Sequence, residues 1–257
     1  MCFVTVVVLI VFQLHQVKPD SAAVLSEITV GEFFSSRGAD RERITLPHDW
    51  HSEQLHLAQL WYRFSFSVTP SRTDLYAIYL QVISENAVAY LNGIEIGSGG
   101  TIEKPLAKNW PGPLIFPVAS EYLARGENVL ELHVLSVPPG RGFVPIIYFG
   151  KWTDLVPSYN YRKVLKETAL GGFLVILVAS AFFLFLVGWH RPNSIEYTWA
   201  GATFLGLTGR LIYVFYDQIH VPPFLWDWWQ QICIGYTTLF MLLFVSRYFK
   251  LQMKAIE

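Results

Sequence analysis

The chain has 257 residues, 53% of them hydrophobic and only 15% charged, where about 25% charged is usual. A formal net charge of −1 leaves no basic surplus of the kind nucleic-acid binding needs, which argues against that partner. The two cysteines, Cys2 and Cys233, lie in separate apolar runs and form neither a CxxC pair nor a Cys/His cluster, so no metal and no cofactor is expected.

The average hides two regimes. Residues 24–160 hold ten basic and fourteen acidic side chains, net −4, and compose like a globular domain. Residues 161–257 hold eight basic and five acidic ones, net +3, in short clusters between long uncharged runs. No internal repeat or low-complexity tract is visible.

In chain order, the first element is the apolar run "CFVTVVVLIVF" at residues 2–12. It is about half the ~20 residues a helix needs to cross a bilayer, a length that suits a secretory signal core. "SAA" at 21–23 offers small residues for cleavage after Ala23, so residues 1–23 read as a signal peptide. No basic residue precedes Lys18, and a buried strand is the alternative reading.

Short β runs follow between Arg43 and Gly150. "LWYRFSFSV" (60–68) alternates bulky and polar residues and stops before Pro70. "LYAIYLQVI" (75–83) puts Tyr76, Ile78, Leu80 and Val82 on one face. "NAVAYLNGIEIG" (86–97) is two runs joined by Asn92-Gly93, the dipeptide that best tolerates positive φ in a tight hairpin. "NVLELHVLSV" (128–137) alternates again, with Val129, Leu132 and Val134 as apolar anchors. Strands at this spacing predict an all-β sandwich over residues 24–157.

Four pieces in order, "LPHDW", "WYRFSFSV", "AVAYLNGIEIG" and "PLIFPVASEYLARGENVLELHV", make this region similar to the galactose-binding-like jelly roll that opens glycoside hydrolase family two. The resemblance implies a jelly-roll fold. It implies no catalysis, because the catalytic carboxylates of those hydrolases belong to a downstream barrel absent from this chain, and no residue here is nominated as catalytic. A second resemblance covers more of the chain. "KNWPGPLIFPVASEYLARGENVLELHV", "RGFVPIIYFG" and "LVPSYNYRKVLKE", running into a membrane helix, look like bacterial seven-transmembrane receptors with diverse intracellular signalling modules. That resemblance implies an extracytoplasmic ligand-binding domain and a cytoplasmic output, often a diguanylate cyclase.

"SYNYRKVLKE" at residues 158–167 reads as a short connector helix. Beyond it an α-helical transmembrane region is expected over 168–257, with spans at 168–189, 197–216 and 231–249. Trp189, Trp199, Trp226, Trp228 and Trp229 lie near the run boundaries, where interfacial aromatics belong. If the sandwich is exported, Arg191, Arg247, Lys250 and Lys254 fall inside, while the loop with Asp217 and Asp227 falls outside without a basic residue. Arg162, Lys163 and Lys166 run against this, but large exported domains translocate largely regardless of nearby charge. The resemblance implies four further helices, and the last stretch, "SRYFKLQMKAIE", reads as a helix in mid-course. A chain cut short is therefore expected.

Arg210 stands within the second span, where a guanidinium is costly unless paired or hydrated. Two readings stay open: a polar latch between helices that shifts when the outer domain binds a ligand, or a static or snorkelling side chain that Tyr213 and Asp217 satisfy. Trp50, Asn109, Trp110 and Arg141 form the candidate ligand platform, since sugars stack on aromatic rings while Asn and Arg fork hydrogen bonds to hydroxyls or carboxylates. The competing reading makes Trp50 and Trp110 core plugs. His48, His51 and His56 match no zinc spacing with Asp49.

Taken together, an all-β jelly-roll sandwich followed by a transmembrane helical region is expected to work as a sensor in a bacterial inner membrane. Its partners would be the lipid bilayer, a small-molecule or carbohydrate ligand, and a homodimer mate or cytoplasmic signalling protein. A membrane-tethered carbohydrate-binding module, or the N-terminal fragment of a glycosidase relative, is the alternative.

Overall fold

The computed structural model describes residues 18–34, 40–51, 59–83, 86–101, 106–107, 109, 112–135, 141–191, 193–215, 218–219 and 223–249. It divides into two compact units at Lys166/Glu167, with Asp217–His220 grouped with the first. Each is described by itself.

The first unit is built from β1 (Ser26–Ile28), β2 (Val30–Phe34), β3 (Glu42–Thr45), β4 (His48–His51), β5 (Gln59–Val68), β6 (Leu75–Leu80) and β7 (Asn86–Leu91). It continues with β8 (Ile94–Ser98), β9 (Leu106–Ala107), β10 (Leu114–Ala119), β11 (Gly126–Leu135), β12 (Arg141–Val144) and β13 (Ile147–Lys151). One sheet runs β1-β13-β6-β10 and the other β3-β2-β5-β11-β7-β8, with every pair antiparallel. A two-stranded ladder of β4 and β12 flanks them, and β14 (Gln218–Ile219) pairs with β9. The first strand, β1 at Ser26, thus precedes the first strand read from the sequence, at Leu60, although it lies within the expected domain.

Alternation explains the core. In β5, Leu60, Tyr62, Phe64 and Phe66 all point inward, while Trp61, Arg63 and Ser65 point outward. They meet Tyr76, Ile78 and Leu80 of β6 and Phe149 of β13, whose ring lies 5.0 Å from Phe66 and 5.4 Å from Tyr76. In β11 the inward set is Leu130, Leu132 and Val134; Val129 is only half-buried, so the expected anchor at 129 is off by one residue. The β7–β8 turn has φ of 52° at Asn92 and 84° at Gly93, the left-handed pair that a two-residue hairpin demands.

Strand β6 buries both faces, not the single face expected for Tyr76, Ile78, Leu80 and Val82. Ala77 and Tyr79, on its other side, are covered by helix α1 (Trp152–Val164) through Leu155, Trp152 and Tyr159. A strand covered on both sides has no need of alternation, and "LYAIYL" accordingly has none.

After α1 come a π turn at Leu165–Ala169 and α2 (Leu170–His190), α3 (Glu196–Phe215) and α4 (Pro223–Tyr248). In the second unit α3 packs on both α2 and α4. Small residues permit close approach: a Cβ at Gly188 would strike Thr198, one at Gly201 would crowd Phe185 and Ala181 O, and one at Gly206 would strike Thr237. Two stretches, within Trp152–His190 and at Trp228–Tyr248, are long and apolar enough to cross a membrane by length and composition alone. Three were expected. At the expected 197–216, Glu196–Phe215 form the helix α3, but its Thr, Gly and Arg residues keep it from that apolar class, and α4 starts eight residues before the expected 231.

Candidate functional site

The sequence-nominated residues do not form one cluster. Trp50 sits on β4, directly opposite Gly142 of β12, and is only 6% exposed. A Cβ on Gly142 would collide with the indole, so the ring lies flat against a strand position that only glycine can provide. This is a core plug. Its indole N–H is buried without forming a hydrogen bond of good geometry, although it lies close enough to the Tyr62 phenol to favour the ionised form slightly. Burial still dominates and pushes that phenol well above its ordinary range.

Arg141 pairs through its backbone with His51 on the same ladder, which makes it a neighbour of Trp50 in register; its side chain lies outside the described residues, as does Trp110. His48 faces inward on β4, with Nδ1 3.2 Å from Tyr62 Oη and its ring 5.3 Å from that of Phe33. Burial lowers its pKa, against the opposing pull of Glu42 and Asp49. The side chains of His51 and His56 lie outside the described residues, and among those described no three potential ligand side chains gather for a metal.

Asn109 belongs to another network. Its Nδ2 donates to Gly99 O (2.7 Å) and to Asn86 Oδ1 (3.2 Å), and its own carbonyl accepts from Lys166 Nζ (3.1 Å) and Gly112 N (2.5 Å). Asn86 in turn donates to the carbonyls of Gly100 and Thr101. These bonds hold the loop after β8 in place, which is an anchoring duty.

The connector differs from the expected residues 158–167. Helix α1 starts at Trp152, right after β13, and tolerates Pro157 in its second turn. Lys151 precedes it and pairs with Asp74 at 2.9 Å. Near its end Arg162 is 1% exposed and donates from Nη1 to Gln81 O at 2.7 Å. Leu155 and Arg162, seven residues apart, share the inward face above Tyr79 and Tyr148. Burial raises both phenols, and the Arg162 charge partly offsets this. The Tyr79 and Tyr148 hydroxyls are buried without a hydrogen-bond partner among the described residues. Sequence reading weighed Arg162 only as a positive charge outside the first span; the i, i+7 spacing from Leu155 was the available signal of its inward face.

A further clamp explains "GEN". Asn128 Oδ1 accepts from Ala124 N (2.8 Å) and from Asn92 Nδ2 (2.9 Å), while its Nδ2 donates to the carbonyls of Ala124 and Gly126. The buried asparagine thereby ties the turn before β11 to the β7–β8 hairpin.

In the second unit Arg210 is exposed on α3, and its carbonyl accepts from Gln230 Nε2 at 3.3 Å. Trp229 Nε1 donates to Gly209 O at 2.9 Å. Asp217 and the Tyr213 side chain lie outside the described residues, so the structure describes no Arg210 latch.

No protein-family model and no curated protein sequence matches the chain. Among solved structures, parts of the chain are similar to a Bifidobacterium dentium beta-glucuronidase complexed with coumarin-3-O-glucuronide (22% identity, TM-score 0.34, covering 46% of this chain and 21% of that one). Parts are likewise similar to a Dictyoglomus thermophilum beta-D-mannosidase (18%, 0.34, 44% and 16%) and a glycosyl hydrolase family 2 member from Bacteroides cellulosilyticus (15%, 0.38, 49% and 20%). The chain spans about a fifth of the length of these enzymes. At such scores the likeness assigns neither activity nor substrate.

Proposed function

We propose that the chain is a membrane-anchored sensor. Its galactose-binding-like jelly roll lies outside a bacterial inner membrane, binds a small molecule or carbohydrate, and passes the event through α1 to the helices. Residues 1–23 direct export. The chain itself catalyses nothing; its output is a cytoplasmic partner, a second copy, or a domain of the diguanylate cyclase kind encoded further on.

The observation that carries this reading is the seat of α1. A connector that buries Leu155 and Arg162 against the outer side of β6 and β13 is coupled to the sandwich, not a loose tether. Its continuation through the π turn into an apolar stretch supports the reading, as does the placing of Arg191 and Arg247 in the segments assigned to the inside.

The test has two arms. Carbonate washing of cells expressing the full chain leaves it in the membrane pellet, and protease added to spheroplasts removes the sandwich. Titration of the detergent-purified full chain with a panel of sugars and small metabolites gives saturable binding. Recovery in the aqueous fraction, or silence across the panel, sinks the proposal.

A further inference from the structure

The outer face of the six-stranded sheet carries a feature that neither the sequence motifs nor the ladder around Trp50 explains. Strand register sets two cross-strand rows side by side on it. In one, Arg43 faces Glu32, Glu32 faces Arg63, and Arg63 faces Glu131. In the other, Phe34 faces Trp61 and Trp61 faces His133. Arg41 caps this second row, its guanidinium 5.6 Å above the Phe34 ring. The Trp61 and His133 rings stack at 4.3 Å, and the Tyr90 ring lies 5.8 Å from Trp61.

Along the charged row there is a depression of ≈ 540 Å³, lined by Glu32, Arg41, Arg43, Arg63 and Ser65 together with Val30 and Gly31. Three guanidiniums therefore surround one carboxylate. Two of them are loosely engaged: Arg41 with Glu32 at 3.4 Å, and Arg63 with Glu131 at 3.9 Å, the latter too long for a hydrogen bond. Arg43 is exposed and makes no hydrogen bond or ion pair among the described residues.

Cross-strand pairing of opposite charges stabilises sheets and accounts for Glu32 with Arg41 and Glu131 with Arg63. It leaves Arg43 over. Exposed ion pairs contribute little and exchange readily, so Arg63 can leave Glu131 for a better acceptor. A carboxylate accepts two parallel N–H bonds from a guanidinium, so an anion in the depression would meet a fixed fork of donors. We propose that this depression is a binding site for a small carboxylate, held by Arg43 and Arg63. The inference rests on the reading of the first unit as the ligand-binding part, and names the place and charge of the ligand.

The experiment uses the full chain in detergent micelles, titrated calorimetrically with galacturonate, benzoate and galactose, with the ligand panel above run in parallel. Galacturonate binds, and Arg43→Gln and Arg63→Gln each weaken it by about tenfold or more. Arg72→Gln, in the turn after β5, changes nothing. Benzoate binding with the same Arg43 dependence also supports the site and makes an aromatic acid, not a sugar acid, the ligand. Equal affinity for galactose and galacturonate, untouched by Arg43→Gln, overturns the proposal while leaving the sensor reading intact. So does binding of a panel member that ignores both arginines. Silence of every ligand counts against both. Unchanged far-UV circular dichroism of the variants excludes loss of fold as the cause.

Discussion

The sandwich and the helical unit are both rich in large apolar residues, yet they put them in opposite places. In the sandwich, Leu60, Tyr62, Phe64, Leu130 and Leu132 are wholly buried between two sheets. On α2, Phe182 and Phe183 are 65% and 64% exposed, and Trp189 is 86% exposed. Alternation with period two gives each strand a dry face and a wet one, whereas "FLVILVASAFFLFLVGW" is apolar all round and three helices cannot cover it. Contiguous bare apolar surface of this size is rare on a soluble monomer, and it is the surface that the proposed bilayer would cover. The lesson is that burial must be read with its surroundings: the same residue type stabilises one unit by packing and suits the other by facing outward.

The sharpest way to break that contrast is to truncate one residue in each unit. Leu132→Ala, inside the sandwich, costs about 2–5 kcal/mol in chemical denaturation of the detergent-solubilised protein. Phe182→Ala costs less than about 0.5 kcal/mol. Equal effects would mean that α2 is buried after all. Next in size is Asn128→Ala, which strips acceptors and donors from the buried turn before β11 and lowers stability by about 2–4 kcal/mol.

Arg162 sharpens the comparison differently, being a polar anchor where the sandwich uses apolar ones. Arg162→Ala, which abandons the Gln81 carbonyl, costs about 2 kcal/mol. In ligand titration it also uncouples binding from any protease-protection change in α2. The pH dependence is smaller still. His48 has a folded pKa below its free value of 6.5 because burial disfavours the cation, so its contribution is complete above pH 6.5 and is lost as pH falls from there through the folded value. Melting curves of wild type and His48→Gln therefore converge at acidic pH. Least of all, Asp74→Asn removes an exposed pair with Lys151 and leaves the melting temperature unchanged.

Much of the sandwich was legible because its signals are local. The β5 alternation and the Asn92-Gly93 turn need only neighbours in sequence to be understood. What escaped notice depends on distant partners. The second buried face of β6 follows from a helix seventy residues later, and β1 and β2 are too short to carry a period. The extent of α1 was hidden by Pro157 and by the polar residues that separate its apolar contacts Trp152, Leu155 and Tyr159. Of the nominated site, Trp50 proved to be a plug and Asn109 an anchor. The arginine depression escaped because its members, on β2, β5 and on or just before β3, run from Val30 to Ser65 and meet only through register.

The Asn92-Gly93 hairpin has one more consequence, for how the molecule ages. Asparagine before glycine deamidates readily, when the glycine nitrogen attacks the side-chain carbonyl to form a succinimide. Here that carbonyl is held by Val129 N–H at 2.9 Å, and the amide nitrogen by Tyr122 O and Asn128 Oδ1 at 2.9 Å each. Isoaspartate at position 92 would thus accumulate in copies that have opened and stay rare in intact ones, so that mass spectrometry of an old preparation records how often this hairpin has come apart.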